Sequence, residues 1–171
     1  MRTLLCAALA LAGAGCTDAP KASDPTARAV AIYSTVVKHM VTEEGQPSGF
    51  PIVYILDHSV AGAADPDGAT GVIRDFPAQI RARLQRALAP VARVEFISDR
   101  ESVIGPPGDG SRVEGGGILV TLGPIHGEGD RVEVAASSYL GNLAGTWQTW
   151  VVEMTADRWR VTGTKGPVAI S

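Results

Sequence analysis

Three stretches of this sequence bring together side chains able to do chemistry. Asp57-His58 sets a carboxylate beside an imidazole, a pairing that can tune a general base. His126-Gly127-Glu128, with Asp130 two residues on, is an H-x-E unit, in which the His can hold a metal and the Glu can carry a proton. Asp65-Pro66-Asp67-Gly68 begins as a calcium loop begins. Each also has a plainer reading. Neighbours on a strand point to opposite faces, so Asp57 and His58 pair only where the strand has broken; otherwise they are a polar strand end. H-x-E zinc chemistry needs a partnering Cys pair, and no Cys follows Cys16, so 126–130 reads as a hairpin tip. The 65–68 stretch lacks a third oxygen ligand and a closing Glu and reads as a turn. The GxSxG, HExxH and GxxxxGK[ST] patterns are absent. The sequence therefore assigns no catalytic residue, no metal and no cofactor.

The aromatic residues are more informative. Trp147 and Trp150 lie three apart in one strand pattern and so face opposite ways. Trp150 shares a face with Val152 and Met154, and Trp147 with Thr149, Val151 and Glu153. If Trp150 faces helices, Trp147 faces outward or lies beneath the 105–117 or 139–145 loop. A Trp on an open sheet face, with Tyr139 near, is a binding feature. The candidate ligand-binding residues are thus Trp147, Tyr139, Asp57 and His58. Arg81, Arg83 and Arg86, with Arg74 and Arg93 near, form a basic group that can meet anionic lipid heads or simply face water. The net negative chain favours water.

The elements that must position these groups can be read from periodicity. Asp24-Pro25 is a helix N-cap followed by proline at the first helical position. Ala29, Tyr33, Val36, Val37, Met40 and Val41 then recur at helical spacing until Glu43, Glu44 and Gly45. Ile52–Leu56 is a continuous apolar run after Pro51 and reads as a buried strand. Residues 57–75 read as a loop. Phe76, Ile80, Leu84, Ala87 and Leu88 give a second helix, stopped by Pro90. Val91–Ile97 alternates as a half-buried strand. Residues 105–117 are rich in Gly and Pro and read as slack. Strands are expected at Ile118–Leu122, Arg131–Ser137, Thr146–Met154 and Arg158–Thr162, with a last edge at Val168–Ile170; links of hairpin length make a meander. The expected class is α+β: two amphipathic helices packed on a twisted, mainly antiparallel sheet with a C-terminal β-meander.

Composition bounds what this fold can serve. The 171 residues are 45% hydrophobic and 19% charged, enough for one domain with a core and too apolar for a disordered chain. A net charge of -3 excludes nucleic-acid binding through a broad basic surface. Arg2 is followed by an uncharged apolar run, Leu4–Gly15, of signal-peptide length and too short to span a bilayer. It ends Ala12-Gly13-Ala14-Gly15-Cys16. Here the chain resembles bacterial lipoproteins, over residues 1–16 only, with Gly13 where the pattern usually has Leu. The resemblance implies cleavage before Cys16 and a lipid on that residue, with 16–24 as attachment and tether and 25–171 as one α+β domain. Cys6 then leaves with the signal, and no free thiol remains for a disulfide, nucleophile or zinc site. Ile52–Asp57, Leu119–Pro124 and Gly163–Ser171 also look like stretches of uncharacterised small lipoproteins of high-GC bacteria. Those proteins have no assigned activity, so that resemblance carries no catalytic residue.

The expected protein is a lipid-anchored extracytoplasmic domain on the cell membrane. Its first expected role is a non-catalytic binding or interaction module. The expected partners are the membrane, through the lipid, and a small molecule or envelope protein. The alternatives are a small hydrolase or isomerase and a structural envelope component. The hydrolase needs two of Asp57, His58, His126, Glu128 and Asp130 in one pocket. The envelope component needs an exposed apolar patch or an open edge strand.

Overall fold

The computed structural model describes residues 24–42, 49–67, 71–142 and 144–170. The signal tract, Cys6, Cys16, the tether to residue 23, Glu43, Glu44, Gly45 and Gly68 lie outside the described residues. Asp24-Pro25 opens helix α1 (Pro25–Thr42). Asp24 Oδ1 accepts the Thr26 N–H at 3.0 Å, and its backbone carbonyl accepts the Arg28 N–H at 2.9 Å. The first bond satisfies an otherwise orphaned helix donor, and the second is the first i→i−4 bond of the helix. Arg83 donates to Asp24 Oδ2 at 2.8 Å, tying this cap to the second helix and holding the carboxyl below the usual range.

After α1 come strands β1 (Ile52–Leu56), β2 (His58–Val60) and β3 (Val72–Asp75), then helix α2 (Ala78–Leu88). Strand β4 (Arg93–Ile97) follows, and after a long connection β5 (Ile118–His126), β6 (Arg131–Gly141), β7 (Ala144–Thr155) and β8 (Arg158–Ile170). The class is α+β. Six strands form one mixed sheet in the order β4-β1-β5-β6-β7-β8. β1 runs parallel to both neighbours, and β5 to β8 are antiparallel in sequence order. The continuous apolar run of β1 follows from its place: it is buried on both faces, so no position is left for alternation.

Both helices cover one face. Val53 and Ile55 of β1, Ile118, Val120 and Leu122 of β5, and Val132, Val134 and Ala136 of β6 meet Trp150 and Val152 of β7 there. Tyr33, Val36, Val37 and Met40 of α1 and Leu84 and Leu88 of α2 close over them. Burying each large aliphatic side chain in this way contributes about 1.5–3 kcal/mol. Among the described residues, no helix is long and apolar enough to cross a membrane.

Four expectations change. The 57–75 stretch, expected to be a loop, contains the antiparallel pair β2–β3, whose β3 is exposed throughout and so carries no burial pattern to read. β5 does not stop at Leu122; Gly123-Pro124 lies at a register shift, and the ladder resumes at Ile125. The two expected C-terminal strands are one, β8, whose pairing with β7 shifts at two places rather than ending. Residues 105–117 are also more firmly seated than slack implies. Val113 N–H donates to Leu140 O at 3.0 Å, and Asn142 N–H to Gly110 O at 2.8 Å. At Gly117 an added Cβ would lie 2.7 Å from Ile52 Cγ2 and 3.0 Å from Ile52 O, so only glycine allows the approach.

Candidate functional site

The face without helices is covered differently. Val103 and Val113 of the 98–117 connection pack on Ile52, Tyr54 and Leu119. Separately, Val60 and Ala63 pack on Leu56, with Ile97 and Ala135 against them. The two covers leave a cavity of about 360 Å³ between them. It forms because β1 and β4 are parallel neighbours whose chains diverge at the same end. From Leu56 the chain turns through Asp57 into β2 and the 61–66 turn. From Ile97 it turns into Ser98–Glu101. Such divergence at the carboxyl ends of parallel strands is where open sheets hold ligands.

The cavity floor is one cross-strand row. Thr121 on β5 pairs with Ser137 on β6, and Ser137 pairs with Trp147 on β7. Leu56 adds an apolar edge. His58, Val60, Ala63, Asp65 and Pro66 form one wall, and Ser98, Asp99, Arg100 and Glu101 the other. The second wall is pinned by Asp99: Oδ1 accepts the Glu101 N–H at 3.0 Å, and its backbone carbonyl accepts the Ser102 hydroxyl at 2.6 Å. This arrangement caps the short 3-10 turn Arg100–Val103.

Asp57 and His58 do pair, because the strand breaks between them. Asp57 N–H donates to Ile97 O at 2.8 Å, while its carbonyl accepts the Phe76 N–H at 2.7 Å. That leaves the alternation of β1, and His58 Nδ1 comes to 2.9 Å from Asp57 Oδ1. Arg81 Nη1 stands 3.6 Å from the other oxygen. His58 lines the cavity; Asp57 stands behind it. Tyr139 lies beside the cavity. Its hydroxyl donates to Ser111 O at 3.1 Å, and the Arg100 guanidinium sits 5.5 Å over its ring, so it props the second wall.

The two tryptophans separate as the strand period requires. Trp150 is 1% exposed in the helix-covered core, edge-on to His39 at 4.8 Å, and its indole Nε1 has no hydrogen-bond partner among the described residues. Trp147 is half-buried and lines the cavity. The other sequence candidates lie elsewhere. His126, Glu128 and Asp130 are exposed at the β5–β6 turn, and His126 is five residues beyond the cavity floor on β5. Asp65 makes the turn read from sequence, its Oδ1 accepting the Asp67 N–H at 3.0 Å. Among the described residues no three His, Cys, Asp or Glu gather to hold a metal. The basic group is divided: Arg81 faces Asp57, Arg83 faces Asp24, and Arg93 pairs with Glu95.

Sequence pattern alone does not single out Thr121, Ser137 or the 98–101 wall. Thr121 and Ser137 look like ordinary strand residues until the register is known. A second hollow of about 420 Å³, between α1, α2 and β3, is lined mainly by apolar groups such as Tyr33, Ile73, Phe76 and Ile80. Ser59, Arg74 and Asp75 also line it, but neither an indole nor an imidazole does. No family model, curated protein or solved structure matches the chain.

Proposed function

We propose that this chain is a bacterial lipoprotein whose folded part is a non-catalytic binding module. Its leader is removed before Cys16, and lipid on that residue holds the protein at the outer face of the cytoplasmic membrane. The small-residue tract Ala12–Gly15 ahead of Cys16 supports the anchor. The observation that carries the binding role is the cavity above Thr121, Ser137 and Trp147: a concave site with an aromatic floor and a few convergent polar groups. Its partners are then the membrane, through the lipid, and a small molecule; nucleic acid is not among them. In the same proposal both helices are amphipathic and the sheet is twisted. Leu84 and Leu88, buried where Arg86 is exposed, support the amphipathic character of α2.

Two experiments test the two halves. Mass spectrometry of the membrane-extracted protein should find an acylated Cys16 as first residue; an intact chain beginning at Met1 and free in the cytosol contradicts the anchor. Screening a small-molecule library by thermal shift should give hits that Trp147→Ala abolishes; hits indifferent to that change contradict the site.

A second reading has one observation in its favour. The Asp57–His58 pair, with His58 on the cavity wall, is the geometry of an oriented general base for a small hydrolase or isomerase. It predicts that His58→Ala abolishes turnover of a ligand that still binds. The envelope-component reading draws on exposed Val168 and Ile170 of edge strand β8. That strand also carries Lys165, Gly166 and Pro167, residues that blunt an edge against further pairing.

A further inference from the structure

We infer that the cavity takes a small organic cation. The inference rests on the binding reading above and adds the charge of the ligand. Its first support is the floor. Ser137 is 8% exposed, lines the cavity, and its hydroxyl makes no hydrogen bond to any described residue. Its Oγ is not sealed from solvent, so it opens to the cavity and is free to meet a ligand there. The strand register sets Trp147 beside it, and an indole attracts a cation to its ring face.

The walls supply the sign. Asp65, Asp99 and Glu101 face a single guanidinium, Arg100. That guanidinium is already engaged, 3.4 Å from Glu101 and over the Tyr139 ring. Asp65 and Asp99 each spend only Oδ1 on a backbone N–H, and neither Oδ2 meets a donor among the described residues. Behind His58 the Arg81 and Asp57 charges offset each other. These carboxylates are exposed to water, so an anion entering the cavity meets screened repulsion and a cation gains screened attraction. A cation satisfies those oxygens and the indole, while Leu56, Val60 and Ala63 cover its hydrocarbon part.

The test uses three probes of one shape and different charge on the full chain: choline, its neutral carbon isostere tert-butylethanol, and the anion tert-butylacetate. Choline should bind about tenfold more tightly than the alcohol, with the anion weakest. Asp65→Asn, Asp99→Asn and Glu101→Gln together keep the local backbone bonds, since Asn also accepts them, and remove the charge. The triple variant should erase the preference for choline over the alcohol. Trp147→Ala should weaken choline by about tenfold. Equal binding of choline and the alcohol, or tighter binding of the anion, overturns the charge assignment and leaves the binding site standing. No binding by any probe at about 10 mM overturns both.

Discussion

The two faces of this sheet are made by the same strands and buried by different means. On one, two helices close over β1, β5, β6 and β7 as a continuous apolar layer, from Val53 to Val152. On the other, irregular chain covers the sheet in two separate patches, around Tyr54 and around Leu56, with the cavity between. A helix lays down a stripe wide enough to seal a sheet. Two irregular covers leave a gap, and polar groups can collect where no apolar layer excludes them. On the binding role proposed above, the first face serves stability and the second recognition. β7 places Trp150 on one and Trp147 on the other, three residues apart.

The largest expected effect breaks the contrast if it fails. Trp150→Ala should destabilise the fold by about 3–5 kcal/mol in chemical denaturation, the cost of a large cavity in a sealed layer. Trp147→Ala should cost about 1–2 kcal/mol, because its side chain already borders open space. Equal losses would mean that both faces serve the core alike. Next, Gly117→Ala should cost about 1–3 kcal/mol by pushing the 98–117 connection off Ile52 and Tyr54. It should also disturb ligand binding, because the same connection carries Asp99 and Arg100. Unchanged stability would mean that this cover is loosely held.

The smallest effect sharpens the seam between helix and sheet. Tyr33 donates to Gly123 O at 3.1 Å, and burial pushes its hydroxyl up to about 12. Tyr33→Phe should cost about 1 kcal/mol at neutral pH. The unfolded chain loses this proton near pH 10 and the folded one near 12. Stability should therefore be complete below about pH 10 and fall as pH rises toward 12, and Tyr33→Phe should remove that part of the fall. An identical alkaline limb in the variant would show that Tyr33 does not titrate this way.

Much of the scaffold is legible in the sequence. The period of two separates Trp147 from Trp150, the apolar run at Ile52–Leu56 marks a strand buried on both faces, and Asp24-Pro25 marks the start of α1. What is not legible is long-range. That β1 lies between β4 and β5 depends on a crossover through α2, and local pattern does not encode which strands pair. β3 is too short and too exposed to leave a hydrophobic period. Of the site, Trp147 and His58 could be picked out by residue type. Ser137 could not, since a serine on a strand gains meaning only when Thr121 and Trp147 are known to flank it. The Asp57–His58 pair needs a strand break that two backbone hydrogen bonds from distant segments impose.

The central claim is that the helix-free face, and not the sealed one, receives a ligand. The most direct measurement is a choline titration followed by amide and indole resonances of the labelled chain. The account predicts that the Trp147 indole and the Ser137 and Thr121 amides shift saturably together, while the Trp150 and Trp159 indoles stay in place. Saturable shifts confined to Trp150, Trp159 or the β5–β6 turn, with Trp147 and Ser137 unmoved, would contradict it.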